Sequence, residues 1–419
     1  MTPRLPLVAF LLAVGASRVA RAEEPAFALH DGDRVVFYGD SITQAGGYCT
    51  MVEEYTRSRF PKWDMRFYNA GVGGDTVQGG WAGKADERIE RDVISLKPTV
   101  VTIMLGMNDG HYRALEKATL DAYTQGYRTI IDKIRAALPG VRVYIIRSSP
   151  FDDVTRAPQF PGGYDGALRK MADAVAAIAD DEHLKVVDFD KSLNDGLAAV
   201  FAQDKDLARQ ILPDRVHPNP AGHMVMGATL LRAWHAPSLV THVTIDASSA
   251  KLSACENAAV TGIAATNGGL EWKETDSALP LPVSFDDSDT DLAQKAGADL
   301  EALDSEILAV SGLKAGTYEL KIDGTTVDSF DSAQLASGIN LARYNTPMRW
   351  QAYQVRWGSD DGSQVQKVRR QLFPAAARGE KDIKQATDIL AAHDELSQAA
   401  RPSFVQPSER RFTLTPATK

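Results

Sequence analysis

Val35-Val36-Phe37-Tyr38 runs directly into Gly39-Asp40-Ser41. Four apolar residues in a row, two of them β-branched, predict a strand buried on both faces. Gly39 and Asp40 then make a turn, where glycine permits unusual backbone angles. Ser41 stands three residues past the strand, where a side chain emerges at a sheet edge. A serine in such a turn is often only a helix N-cap. The surrounding Gly-Asp-Ser-Ile-Thr is not Gly-x-Ser-x-Gly, so the nucleophile elbow of α/β-hydrolases is absent.

Similar apolar runs recur at Met65–Tyr68, Val100–Leu105, Val141–Ile146 and Val186–Phe189. Helical patterns lie between them, near Tyr48–Arg59, Ala85–Leu96, Leu115–Leu138 and Tyr164–Asp180, and a last one covers Ala221–Trp234. This alternation predicts an α/β fold with a doubly wound, five-stranded parallel sheet and functional groups at the carboxyl ends of the strands. Residues 239–419 break the alternation. Three short strands are expected there, at Ile307–Val310, Thr317–Ile322 and Thr326–Phe330, followed by a helix from Thr346-Pro347 to about Phe373 with an interruption near Gly358 and Gly362. A second helix is expected over Lys381–Gln398, which makes this an α+β region.

Three further signals follow Ser41 in order. Gly71-Val-Gly-Gly74-Asp75 comes after the second strand. It misses the dinucleotide fingerprint, because residue 76 is Thr, and it sits after the wrong strand. Its glycines could instead bring a bare N–H close to a ligand oxygen. Asn108, in Leu-Gly-Met-Asn-Asp109, could form an Asx turn or donate its amide to a developing oxyanion. Asp-x-x-His occurs twice, as Asp180 to His183 and as Asp214 to His217. His183 falls in a helix-to-strand connection, at the amino end of the sheet. His217 falls after the last strand, on the edge that carries Ser41. A serine hydroxyl must lose its proton to attack a carbonyl, and histidine is suited to take it near neutral pH. Asp214 can fix the imidazole tautomer.

The net charge of −9 argues against nucleic acid or an anionic membrane surface as partner. Arg4, the apolar Leu5–Val14 and Ala20-Arg-Ala22 form the three parts of a secretory signal peptide over residues 1–22, cleaved near Ala22. The mature protein is therefore expected to be periplasmic or extracellular, without stable membrane insertion. Cys49 and Cys255 cannot make a disulfide framework and read as two buried thiols. There is no His-Glu-x-x-His and no cysteine cluster, so no metal and no cofactor is called for. Asp287-Ser-Asp-Thr-Asp291 lacks the glycine and closing acid of a calcium loop and reads as the acidic first turn of a helix.

Over about Arg34 to Trp234 these blocks resemble the SGNH branch of the GDSL esterase and lipase family. All four family blocks have a counterpart: Gly39-Asp40-Ser41, the glycine block ending at Gly74, Gly106-x-Asn108-Asp109, and Asp214-x-x-His217. The resemblance implies a flavodoxin-like sheet and a metal-free hydrolase. It implies Ser41 as nucleophile, His217 as base with Asp214 behind it, and an oxyanion hole from the Ser41 N–H, the Gly74 N–H and the Asn108 side chain. Asp40 and Asp109 would brace the loops. The implied division is a signal peptide (1–22), a catalytic domain (23–238) and a C-terminal region (239–419). The implied reaction is ester hydrolysis through an acyl-enzyme, with a small-molecule or polysaccharide ester as substrate. Modest aromatic content and the lack of an obvious lid favour a short acyl group such as acetyl. A lysophospholipase or thioesterase, or a non-catalytic glycan-binding or cell-surface protein on the same scaffold, are the competing readings. The segment Asn340–Asn345 could rim the site or be structural, and the oligomeric state stays open.

Overall fold

A strand that is apolar at every residue needs cover on both faces, and the first half of the chain supplies it. The computed structural model describes residues 26–400 and 406–417, so the expected signal peptide and its cleavage site lie outside the described residues. The strands here are β1 (Arg34–Gly39), β2 (Arg66–Gly71), a two-residue hairpin of β3 (Gly79–Gly80) and β4 (Gly83–Lys84), β5 (Val100–Met104), β6 (Arg142–Arg147) and β7 (Lys185–Asp188). The five longer strands form one parallel sheet in the order β2-β1-β5-β6-β7. This is the flavodoxin-like order, whose switch point lies between β1 and β5. Alternate residues of β1 enter two different cores. Val35 and Phe37 pack with Tyr48, Met51, Val52 and Leu230. Val36 and Tyr38 pack with Ile89, Tyr127, Ile131 and Val175.

The helices are α1 (Ser41–Ala45), α2 (Gly47–Arg59), α3 (Ala85–Asp92), α4 (Lys117–Ala137), α5 (Gly163–Asp181), α6 (Phe189–Phe201), α7 (Lys205–Ile211) and α8 (Pro220–Ala233). α6 and α7 add two helices to the sequence reading. Their caps, Asp188 and Asp204, each accept a backbone N–H, and Leu193, Leu197 and Val200 enter the core.

The C-terminal region is richer in strand than the sequence suggests. It holds β8 (Leu239–Asp246), β9 (Lys251–Glu256), β10 (Ala258–Ala265), β11 (Leu270–Asp276), α9 (Ser288–Lys295), β12 (Ser305–Ser311), β13 (Thr317–Ile322), β14 (Thr325–Asp331), α10 (Ser332–Ser337), β15 (Ile339–Asn340), α11 (Pro347–Ala377), α12 (Lys381–Ala400) and β16 (Arg410–Pro416). One sheet runs β15-β12-β8-β9 and the other β10-β11-β16-β13-β14. Both face one core of Val243, Leu308, Trp272, Leu320 and Phe412, as in a β-sandwich.

Several expectations need correction. The three expected strands are joined by six others among the described residues. α11 runs unbroken through Gly358 and Gly362, because its packing outweighs the roughly 1 kcal/mol that each glycine costs. Cys49 is buried but Cys255 is exposed, and both are free thiols. Asn340 is structural: its amide oxygen accepts from Glu306 N and Ala342 N, and its nitrogen donates to Asp304 O. The acids near Asp287 do open a helix, with Asp287 as its N-cap. No helix among the described residues is long and apolar enough to cross a membrane.

The helical hairpin of α11 and α12 lies along the outer edge of β2. A sheet edge presents unpaired backbone N–H and C=O groups. Here side chains satisfy them. Gln366 accepts from Asn69 N at 2.8 Å and donates to Phe67 O at 3.1 Å. Gln398 accepts from Phe67 N at 2.7 Å, and Arg370 donates to Asn69 O. The C-terminal region thus completes the catalytic half's sheet.

Candidate active site

Ser41, Gly74 and Asn108 follow β1, β2 and β5, so all three reach the carboxyl edge of the sheet at its switch point. Gly39 is required there for space rather than for unusual backbone angles. A Cβ on it would lie 2.2 Å from Thr43 Oγ1 and 2.7 Å from Met104 O. Asp40 caps α1 through a bond from Ile42 N at 3.0 Å, which leaves Ser41 as the first helical residue.

His217 arrives from the loop ahead of α8. Its Nε2 lies 2.8 Å from Ser41 Oγ, and its Nδ1 lies 2.6 Å from Asp214 Oδ2. Asp214 Oδ1 also accepts from Val216 N at 2.9 Å and His217 N at 2.7 Å. Burial alone would raise the Asp214 carboxyl, but these bonds from His217 and Val216 outweigh it and hold it below the usual carboxylate range. The turn between the two side chains is tight, with Arg215 at φ 73°. Arg215 is anchored by Asp153 Oδ1 at 3.4 Å and Ala157 O at 3.0 Å. The other copy of the motif is far from this chemistry. His183 is exposed in the α5–β7 connection, at the amino end of the sheet.

The glycine block offers a choice of amides. Gly71 N donates to Asn69 Oδ1 at 2.9 Å, and Gly73 N donates to Gln44 Oε1 at 2.5 Å. Gly74 N has no such acceptor among the described residues. Gly74 sits at φ 75°, a conformation that favours glycine. Asn108 Nδ2 donates one hydrogen to Asp75 O at 3.0 Å, and its second remains available. Asp109 braces the same loops by accepting from Val77 N at 2.9 Å. Burial pushes the Asp40 and Asp109 carboxyls up to about 7.

Three contributors escape the sequence reading. Tyr112 donates its hydroxyl to Asn108 Oδ1 at 3.1 Å and packs on Tyr164 with ring centroids 4.9 Å apart. It and His111 both have positive φ, at 55° and 53°, which is rare for such residues. Trp81 is exposed and donates Nε1 to Gly73 O at 2.8 Å. Arg88 is fully buried and bridges Asp75 Oδ2 at 2.9 Å and Asp92 Oδ2 at 2.8 Å. It also donates to Ala70 O, so it ties the glycine block to β2 and α3. Positive φ at a tyrosine and full burial of an arginine are tertiary outcomes with no local sequence signature.

Comparison with known proteins places the N-terminal half in a family. Residues 37–225 match the profile of the GDSL-like Lipase/Acylhydrolase family. Over 226 residues the chain is 27% identical to an acetylxylan esterase of Geobacillus stearothermophilus, spanning 48% of this chain and 93% of that protein. The class is therefore carboxylic ester hydrolase. Residues 37–225 belong to the GDSL-like lipase/acylhydrolase family. Among solved structures, a gut microbial diltiazem-metabolizing enzyme superposes with a TM-score of 0.81 at 22% identity, covering 94% of this chain and 99% of that one. That likeness is one of fold, and it extends through the C-terminal region. The acetylxylan esterase Axe2 from Geobacillus stearothermophilus is 24% identical over 50% of this chain and 96% of its own, with a TM-score of 0.41.

Proposed function

We propose that this protein is an exported serine esterase that removes short acyl groups, acetyl above all, from carbohydrates. The observation that carries the mechanism is the continuous chain from Ser41 Oγ through His217 to Asp214. Ser41 Oγ attacks the ester carbonyl carbon as His217 Nε2 takes its proton. Asp214 holds the Nδ1–H and stabilises the imidazolium. The carbonyl oxygen becomes an oxyanion, met by the Ser41 and Gly74 N–H groups and the free hydrogen of Asn108 Nδ2. Such a donor is worth about 3–4 kcal/mol in a protease where it was removed. The ester C–O bond then breaks, and His217 returns the proton to the departing alcohol. Water, activated by the same imidazole, cleaves the acyl-enzyme and restores Ser41.

The carbohydrate alcohol rests on the similarity to an acetylxylan esterase and on the expected signal peptide. The test is a panel of esters with graded acyl length that includes acetylated xylan and a lysophospholipid, run beside a serine-trapping phosphonate. Acetyl esters should lead the panel, and the phosphonate adduct should map to Ser41. A lead by the lysophospholipid would replace this substrate reading. An adduct elsewhere would replace the nucleophile.

A further inference from the structure

A cavity of about 150 Å³ lies where α11 meets the catalytic half. One wall comes from the segments that carry Ser41 and His217. Ala45 ends the helix that Ser41 begins, and Pro220 opens α8 just after His217. The opposite wall is α11, which presents Arg356, Asp360, Ser363 and Gln364. Met51 and Met224 add apolar surface between them.

His223 marks this cavity as built for a ligand. It lines the space, is only 6% exposed, and its Nδ1 has no hydrogen-bond partner among the described residues. Buried polar atoms are rarely left so without a reason. Burial pushes its pKa down to about 4, so the ring is neutral and has one donor and one acceptor nitrogen. Gly47 leaves room for the ring, since a Cβ there would lie 2.7 Å from His223 Cβ and Cγ. Glu54, 5% exposed, also faces the cavity. Burial pushes it up to about 8, so at neutral pH it both donates and accepts. Arg356 Nε lies 3.8 Å from Glu54 Oε1, and Asp360 one turn along α11 offsets the Arg356 charge.

The walls therefore mix donors and acceptors around a small apolar surface, with little net charge. An acyl chain would strand these polar groups. An anion would meet Asp360, and a cation would meet Arg356. We infer that this cavity binds a neutral, hydroxyl-rich ring, a saccharide unit of the carbohydrate whose ester is presented to Ser41. The inference rests on the proposed function and makes α11 the part of the C-terminal region that selects the alcohol.

The test uses the full chain and unacetylated disaccharides, which separates binding from turnover. Xylobiose, cellobiose and mannobiose are titrated calorimetrically in the millimolar range. At least one should bind. Gln364→Ala and Arg356→Ala should each weaken that binding about fivefold or more, the scale of one lost hydrogen bond. Ser363→Trp should abolish it by filling the space. Melting temperatures identify any variant that has merely unfolded, and the two alanine variants leave the result readable if the tryptophan is not tolerated. The inference is overturned if no disaccharide binds, if binding is unchanged in the folded variants, or if hexanol competes for the cavity as well as the sugar does. These ligands carry no ester, so an error about Ser41 as nucleophile would show in the esterase assay and not in this titration.

Discussion

Replacing Arg88 by methionine should lower stability by about 3–5 kcal/mol at pH 8, the cost of breaking a buried ion pair from one side. The magnitude follows from what is stranded. Asp75 is fully buried, and Arg88 contacts its Oδ2 at 2.9 Å through one terminal nitrogen and 3.2 Å through Nε. Ala70 O loses two donors at 3.0 and 3.1 Å, and the Tyr38 ring loses a guanidinium 5.0 Å from its centroid. Burial already raises the Asp75 carboxyl to about 6 with Arg88 in place. Without that cation it rises further. A carboxyl whose folded pKa lies above its unfolded value contributes stability below about pH 4, which is lost as pH rises through the folded pKa. The penalty should therefore be clearly smaller at pH 5, where Asp75 can take a proton, than at pH 8. Adding Asp75→Asn should recover more than half of the loss at pH 8. Urea unfolding at the two pH values, followed by circular dichroism and tryptophan fluorescence, measures all of this. A loss below about 1 kcal/mol at pH 8, or one that does not vary with pH, would show that the pair does not brace the glycine block as described.

His217→Ala should lower kcat by roughly 10³-fold or more, while His183→Ala leaves it nearly unchanged; equal losses at equal stability would contradict the topological choice between the two motifs. Tyr112→Phe should reduce kcat about three- to tenfold with little change in KM, because it frees the Asn108 amide to rotate rather than removing a binding contact. A change confined to KM would assign Tyr112 to substrate contact instead. A chain ending near Val240 should aggregate, since it uncovers the β2 edge, and the double variant Gln366→Ala/Gln398→Ala should melt at a lower temperature while staying soluble. A truncated protein that is soluble and equally stable would make residues 239–419 a separate module.

The order of the catalytic half could be read because its strands are short, apolar and β-branched, and three of them, β1, β2 and β5, end in distinctive turns. Topology then placed His217, not His183, on the edge of Ser41. The C-terminal sheets were harder to read for a physical reason. β9 and β10 are largely exposed and rich in alanine, serine and glycine, so they lack the alternation of a half-buried strand. Polar groups that are buried in order to cap something are equally silent. Gln366 and Gln398 read as surface residues of amphipathic helices, and Arg88 sits in the charged run Ala85–Asp92. What buries them is an edge or an acid contributed by another part of the chain.

The capping of β2 also has a consequence in time. During synthesis the N-terminal half emerges first, yet Gln398 lies 331 residues after the Phe67 amide that it satisfies. At about 5–20 residues per second, β2 waits about 15–65 s for its cover. β16, the central strand of its sheet, comes later still. A nascent chain is thus left holding an open strand edge for most of its synthesis, which makes the catalytic half dependent on whatever shields it until the last helix arrives.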